Sequence, residues 1–191
     1  ISGVILFDET LRQKSSDGRP FPELLASRGI LPGIKVDAGA KSLAGFPGET
    51  ITEGLDGLRE RLAEYRGLGA RFAKWRAVID IGAGIPSRYA IEANAEALAR
   101  YAALCQEAAI VPIVEPEVLM DGDHTIERCE EVTDGVLLTV FNALFMQRVH
   151  LEGIVLKPNM VIAGKKCAVQ SAPQQVADAT LSCLRRRVTA A

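Results

Sequence analysis

Short apolar runs alternate with longer stretches of helical period along this chain. Five runs rich in β-branched or aromatic residues, at 4–7, 33–36, 72–79, 110–114 and 153–156, have the length and composition of buried strands. Between and after them apolar residues recur every three or four positions. Leu55, Leu58, Leu62 and Tyr65 share one face of a helix predicted over 52–68. Ile91, Ala95, Leu98, Tyr101 and Cys105 line another over 87–108, and Ile126, Cys129, Val132, Val136 and Val140 a third over 125–149. A fourth, over 172–187, opens near Pro173 and carries Val176, Ala179 and Leu181. Strand and helix in alternation predict parallel βαβ units, hence an α/β fold. No low-complexity linker interrupts the pattern, so 1–191 reads as one domain.

Charged residues punctuate the strands. Lys35, Lys74, Glu115 and Lys157 each close an apolar run, and each follows the last by about 40 residues, the length of one β/α unit of an eightfold barrel. Side chains of a strand alternate faces, so Lys35 falls with Asp37, Lys74 with Arg76, Glu115 with Glu117 and Lys157 with Asn159. At the carboxyl ends of parallel strands such pairs converge on one pocket. That holds for a barrel and for an open doubly wound sheet. Five strands do not close a barrel, and the pattern alone leaves open which of the two this is, an open sheet or a barrel lacking strands at both ends.

The chemistry of the set is that of anion binding plus proton transfer. Three lysines and an arginine suit a phosphorylated or oxyanionic substrate, while Glu115 and Glu117 can divide acid and base work. A neighbouring cation and loss of hydration both favour the neutral, nucleophilic form of a lysine amine. With Lys+Arg 22 against Asp+Glu 24 and a net charge of -2, nothing calls for nucleic acid or an anionic membrane as partner. Cys105, Cys129, Cys167 and Cys183 form no C-x-x-C pair, and with two histidines they outline no zinc site. Free thiols fit a reducing cytoplasm. The longest apolar stretch, 135–146, is too short for a membrane span. The opening Ile1-Ser2-Gly3 has no initiating Met and runs straight into a strand, the look of a truncated start.

Particular blocks carry a resemblance. Gly33-Ile34-Lys35-Val36-Asp37, Phe72-Ala73-Lys74-Trp75-Arg76, Val111-Pro112-Ile113-Val114-Glu115-Pro116-Glu117 and Glu152-Gly153-Ile154-Val155-Leu156-Lys157-Pro158-Asn159 resemble the core motifs of class I (Schiff-base) fructose-1,6-bisphosphate aldolases. Ile5-Leu6-Phe7-Asp8-Glu9-Thr10 and Gly54-Leu55-Asp56-Gly57-Leu58 match as well, and the blocks fall in the family's order. The resemblance implies a (β/α)8 TIM barrel, here an incomplete portion covering about strands 2–6. It implies metal-independent cleavage of fructose 1,6-bisphosphate to dihydroxyacetone phosphate and glyceraldehyde 3-phosphate, with no cofactor, in the cytoplasm, by a homotetramer. By resemblance Lys157 is the Schiff-base lysine, Glu115 the acid/base glutamate and Lys74 a cation that contacts substrate and favours the neutral amine. Glu117 and Arg76 belong to the surrounding charge network, and Lys35 meets the distal phosphate. The family's first strand would lie before Ile1 and its last two after Ala191. Val155 stands where the family usually has Leu, and Val188-Thr189-Ala190-Ala191 departs from its Pro-Pro turn. The rival reading is a catalytically incompetent barrel fragment with a structural or interaction role.

Other signals read as structure. Gly82-Ala83-Gly84-Ile85-Pro86-Ser87 glances at a dinucleotide fingerprint but lacks its third glycine, so Ser87 reads as a helix N-cap. Arg185-Arg186-Arg187 suits the carbonyl end of a helix, Trp75 the helix layer, and His124 a solvated loop.

Overall fold

A computed structural model describes residues 1–189. Ala190 and Ala191, the end of the departure noted at 188–191, lie outside them. The strands are β1 (Gly3–Leu6), β2 (Leu31–Lys35), β3 (Ala40–Ser42), β4 (Thr50–Thr52), β5 (Phe72–Ile79), β6 (Val111–Val118) and β7 (Val155–Leu156). The helices are α1 (Asp8–Arg12), α2 (Phe21–Ala26), α3 (Leu58–Gly67), α4 (Arg88–Glu107), α5 (Ile126–Met146) and α6 (Pro173–Arg187). Each long helix starts where the sequence provides an acceptor or an imino acid. Ser87 Oγ accepts from the Ala90 amide at 3.1 Å, Thr125 Oγ1 from Arg128 at 3.3 Å, and α6 begins on Pro173 with the Gln175 carboxamide accepting from the Ala172 amide at 2.8 Å.

Five strands form one parallel sheet in the order β1-β2-β5-β6-β7, and β3 and β4 make a separate antiparallel pair. The order never reverses along the chain. A doubly wound sheet turns back at its switch point, whereas a barrel adds each strand beyond the last. This topology settles the alternative in favour of a barrel wall. Pro32, Ile34, Ala73, Trp75, Pro112 and Val114 face the helices and are buried. Trp75 stacks on Tyr101 of α4 with ring centroids 5.5 Å apart, though its buried Nε1 has no partner. The Tyr101 hydroxyl donates to the Ala73 carbonyl of β5 at 2.7 Å, with the Ile113 carbonyl of β6 3.3 Å away. One buried phenol thus ties α4 to two strands.

The opposite sheet face is open. Ile5, Leu31, Val111 and Val155 point to it and are 42, 53, 41 and 49% exposed. Phe72 lies in its floor, over two backbone gaps. A Cβ added at Gly33 would collide with the Phe72 ring, and one at Gly3 would come within 2.9 Å of it. Glycine at these positions is what seats the ring.

Two expectations shift. The helix predicted over 52–68 begins only at Leu58, because Gly54 (φ 128°) and Gly57 (φ 62°) adopt left-handed backbone and Thr50–Thr52 pairs with β3 instead. Thr50 and Thr52 hydroxyls donate to the Val78 and Arg76 carbonyls of β5 at 3.0 and 2.8 Å, and Asn94 of α4 accepts from the Thr52 amide at 3.2 Å. The strand at 110–114 runs on to Val118, and α1 and α2 have too few turns to show a period. The three arginines do end α6, and Arg186 and Arg187 also ion-pair with Glu130 and Asp134 of α5. No helix among the described residues is long and apolar enough to cross a membrane.

Gly33→Ala should therefore lower unfolding stability by about 1–3 kcal/mol, the usual cost of overpacking. Phe72→Leu in the same chain should recover part of it. Urea midpoints of the single and double variants check the pair, and additive losses would place the clash elsewhere.

Candidate functional site

Strand register assembles the charged residues. Lys35 of β2 is the Cα partner of Lys74 on β5, and Arg76 of β5 is the partner of Glu115 on β6. Beyond the two residues of β7, the Lys157 amide still donates to the Val114 carbonyl at 2.9 Å, which sets Lys157 beside Glu115. Alternation sends all of these side chains to the open face of the sheet.

Glu115 is the centre. Its side chain is 2% exposed. Lys157 Nζ donates to Oε1 at 2.5 Å, Lys74 Nζ lies 3.4 Å from Oε2, and Arg76 Nε lies 3.9 Å from Oε1. Oε2 accepts no hydrogen bond, since 3.4 Å leaves the Lys74 ammonium as a charge neighbour only. Arg76 in turn binds Glu117 through Nε. Three cations and two carboxylates form one connected group. The structure brings together Lys74, Arg76, Glu115, Glu117 and Lys157.

Lys35 stands apart from that group. Its amine is taken up by Asp37, 2.6 Å from Oδ1 and 2.9 Å from the carbonyl. Asp37 is 3% exposed and its Oδ2 is buried without a partner. Both residues line a cleft of about 1090 Å³ that reaches between α3, α4 and the β3–β4 hairpin, with Glu53, Arg61 and Glu92 on its walls. Lys157 is not on that lining; it rises from the open sheet face with its side chain 60% exposed. The expectation of a desolvated amine beside Lys74 is corrected here. β6 separates the two lysines, the Glu115 carboxylate bonds to one and neighbours the other, and no described residue covers the amine.

Sequence reasoning set Asn159 on the pocket face with Lys157 and passed over the loops that frame the site; the structure turns Asn159 to β6 and α5 instead. Asn159 Oδ1 accepts from the Val118 amide at 3.1 Å, and its Nδ2 donates to Thr133 Oγ1 at 3.1 Å and the Met160 carbonyl at 3.0 Å. The signal was the preceding Pro158, which has no amide to continue the strand ladder. His124 is also corrected. It is 7% exposed, and neither ring nitrogen has a partner. The loops after β6 and β7 close over it: the Gly164 amide donates to the His124 carbonyl at 2.8 Å, and the Lys166 amide to Gly122 at 3.0 Å. A Cβ at Gly164 would collide with the Gly122 backbone. Burial lowers the histidine below its ordinary value; Asp123 and the nearby Ile162 backbone oppose that, and Arg128 adds to it. His150 sits at the surface, paired with Glu152 at 2.9 Å. Among the described residues no three His, Cys, Asp or Glu side chains group as a metal site would require.

The lowered His124 makes the loop contact pH-dependent. The unfolded chain binds this proton more readily, so stability is full above the ordinary histidine value of about 6.5 and declines as pH falls below it. Urea midpoints between pH 8 and pH 5 should fall more steeply for the native protein than for His124→Gln, which has no such proton. Parallel curves would remove His124 from the acid limb.

The family model described as fructose-bisphosphate aldolase class-I matches residues 1–191. A "probable fructose-bisphosphate aldolase class 1" of Xanthomonas campestris pv. campestris is 64% identical over 190 residues, 100% of this chain and 57% of the relative. "Fructose-bisphosphate aldolase 6, cytosolic" of Arabidopsis thaliana is 56% identical, over 100% of this chain and 53% of its own length. A solved Plasmodium falciparum fructose-bisphosphate aldolase, in complex with TRAP and a small-molecule inhibitor, superposes with a TM-score of 0.95 at 50% identity. It covers 98% of this chain, which covers 55% of it. The chain spans a little over half the length of the relatives it matches, and the expected partial (β/α)8 barrel agrees with this neighbour.

Proposed function

The chain belongs to the class I fructose-bisphosphate aldolase family, and from that premise we propose that it supplies the Schiff-base half of the catalytic site of such an enzyme. One observation carries the reading: a lysine amine 2.5 Å from a buried glutamate whose other oxygen has a second lysine 3.4 Å away. Within that hydrogen bond Glu115 can take a proton from Lys157, and Lys74 and Arg76 hold the carboxylate in place electrostatically.

The neutral amine attacks the ketone carbon of fructose 1,6-bisphosphate and forms a carbinolamine. Glu115 returns the proton to the departing hydroxyl, so that water leaves and a protonated imine remains. Glu115, a carboxylate again, takes the C4 hydroxyl proton, and the imine accepts the electron pair of the C3–C4 bond as glyceraldehyde 3-phosphate departs. Protonation at C3 and hydrolysis of the imine then release dihydroxyacetone phosphate. Lys74 and Arg76 supply positive charge to the substrate oxygens, and Glu117 orients Arg76. Lys35, held by Asp37, serves the phosphate far from the imine. The whole of 1–191 belongs to one catalytic domain in this reading, and the working enzyme is a cytosolic homotetramer that needs no cofactor. The retained Lys74, Glu115 and Lys157 set favours the enzyme over a fragment with a structural role.

In the protein carrying this segment, dihydroxyacetone phosphate plus borohydride should leave one adduct, mapped by peptide mass to Lys157. Lys157→Ala should abolish it, and EDTA should leave activity intact. An adduct on Lys35 or Lys74, or loss of activity to the chelator, would sink this mechanism. Glu115→Gln should lower kcat by about 10²–10⁴, the range for a general acid/base. Glu117→Gln should cost less, because its bond is to Arg76 and not to the amine.

A further inference from the structure

Lys157 has little to hold it. Its side chain is long and 60% exposed, so the place of its amine depends on the backbone that carries it. That backbone is weakly tied. β7 pairs with β6 over two residues, Ile113 with Val155 and Val114 with Leu156, and the Lys157 amide adds one bond to Val114. The next residue, Pro158, has no donor, and there the ladder stops.

Asn159 takes over where the ladder stops. Its Oδ1 accepts from the Val118 amide, which a continuing strand would have bonded through a backbone carbonyl. Since a backbone N–H can only donate, this contact fixes which end of the carboxamide faces β6. The Nδ2 is then directed to Thr133 Oγ1 of α5, a residue that is 2% exposed, and to the Met160 carbonyl. The segment is anchored to β6 on both sides of Lys157: at Val114 by its own backbone and at Val118 by this side chain. Glu115 lies between those two anchor points on the same strand.

We infer that Asn159 is a positioning residue, which holds the Lys157 amine against Glu115 by completing the β6–β7 ladder past Pro158. This rests on the reading of Lys157 as the nucleophile. Asn159 touches neither substrate nor amine in this role. It sets the distance across which the proton moves, so its loss should weaken turnover and spare binding, which the cations provide.

The test is made in the complete enzyme carrying this segment. Asn159→Ala should lower kcat and the rate of borohydride-trapped adduct formation by about 10- to 100-fold, as for a displacement of about 1 Å. KM should move less than about threefold. Asn159→Asp keeps the acceptor for Val118 and should recover most of the lost rate, which a general loosening of the fold would not allow. Thr133→Val removes one of the three bonds without unseating the loop and should give an intermediate loss, so the inference stays testable should Asn159→Ala fail to fold. Rates within twofold of the native enzyme for Thr133→Val and Asn159→Ala, a KM rise with kcat intact, or an Asp variant as slow as Ala would overturn it. Lys157→Ala run alongside separates the two claims: an adduct that survives that change refutes the nucleophile and the positioning role with it, whereas an adduct lost with Lys157→Ala but formed at the native rate by Asn159→Ala refutes the role of Asn159 alone.

Discussion

A carboxylate removed from water needs compensating charge, and the site is organised around that requirement at Glu115. With 2% of its side chain exposed, it has Lys157, Lys74 and Arg76 within 4 Å. Each cation arrives from a different part of the sheet or from a different position along β5, so the ionic contact is also a statement about register. A slip of β5 against β6 by one residue would turn Arg76 and Lys74 to the helix layer and leave the buried glutamate with Lys157 as its one cation. The pairing of Arg76 with Glu115 across that ladder is thus a condition of the fold as much as of the chemistry.

The helix layer supports the register from behind. Tyr101 bonds to β5 beside β6, Trp75 stacks on it, and the threonines of β4 take carbonyls at the far end of β5. These contacts fall on β5 and β6, the two strands that carry Lys74, Arg76, Glu115 and Glu117. β7, which leads to Lys157, is the shortest in the sheet and depends on a side chain to finish its pairing.

The sheet strands and long helices were legible because buried faces impose a period: Ala73, Trp75, Ala77 and Ile79 alternate, and Cys129, Val132, Val136 and Val140 recur by turns. The positions of Lys74, Glu115 and Lys157 were legible for the same reason, as charged interruptions at the ends of apolar runs. The β3–β4 hairpin was not, because its strands have three residues each and β3 is exposed throughout, which leaves no apolar alternation. His124 defeated the reading for a different reason. Its neighbours Asp121, Gly122 and Asp123 look like a solvated turn, and only the return of the chain after β7 buries it. Local pattern records an element's own faces, not what a distant loop lays over them.

At this end of the sheet the four cations Lys35, Lys74, Arg76 and Lys157 face the three carboxylates Asp37, Glu115 and Glu117, which leaves one positive charge in excess. A multivalent anion that settles among these cations offsets that excess. By mass action such an anion adds to folding stability in proportion to the logarithm of its concentration. Buffer composition becomes a thermodynamic variable for this molecule: phosphate or sulfate should raise its melting temperature more than chloride of equal ionic strength.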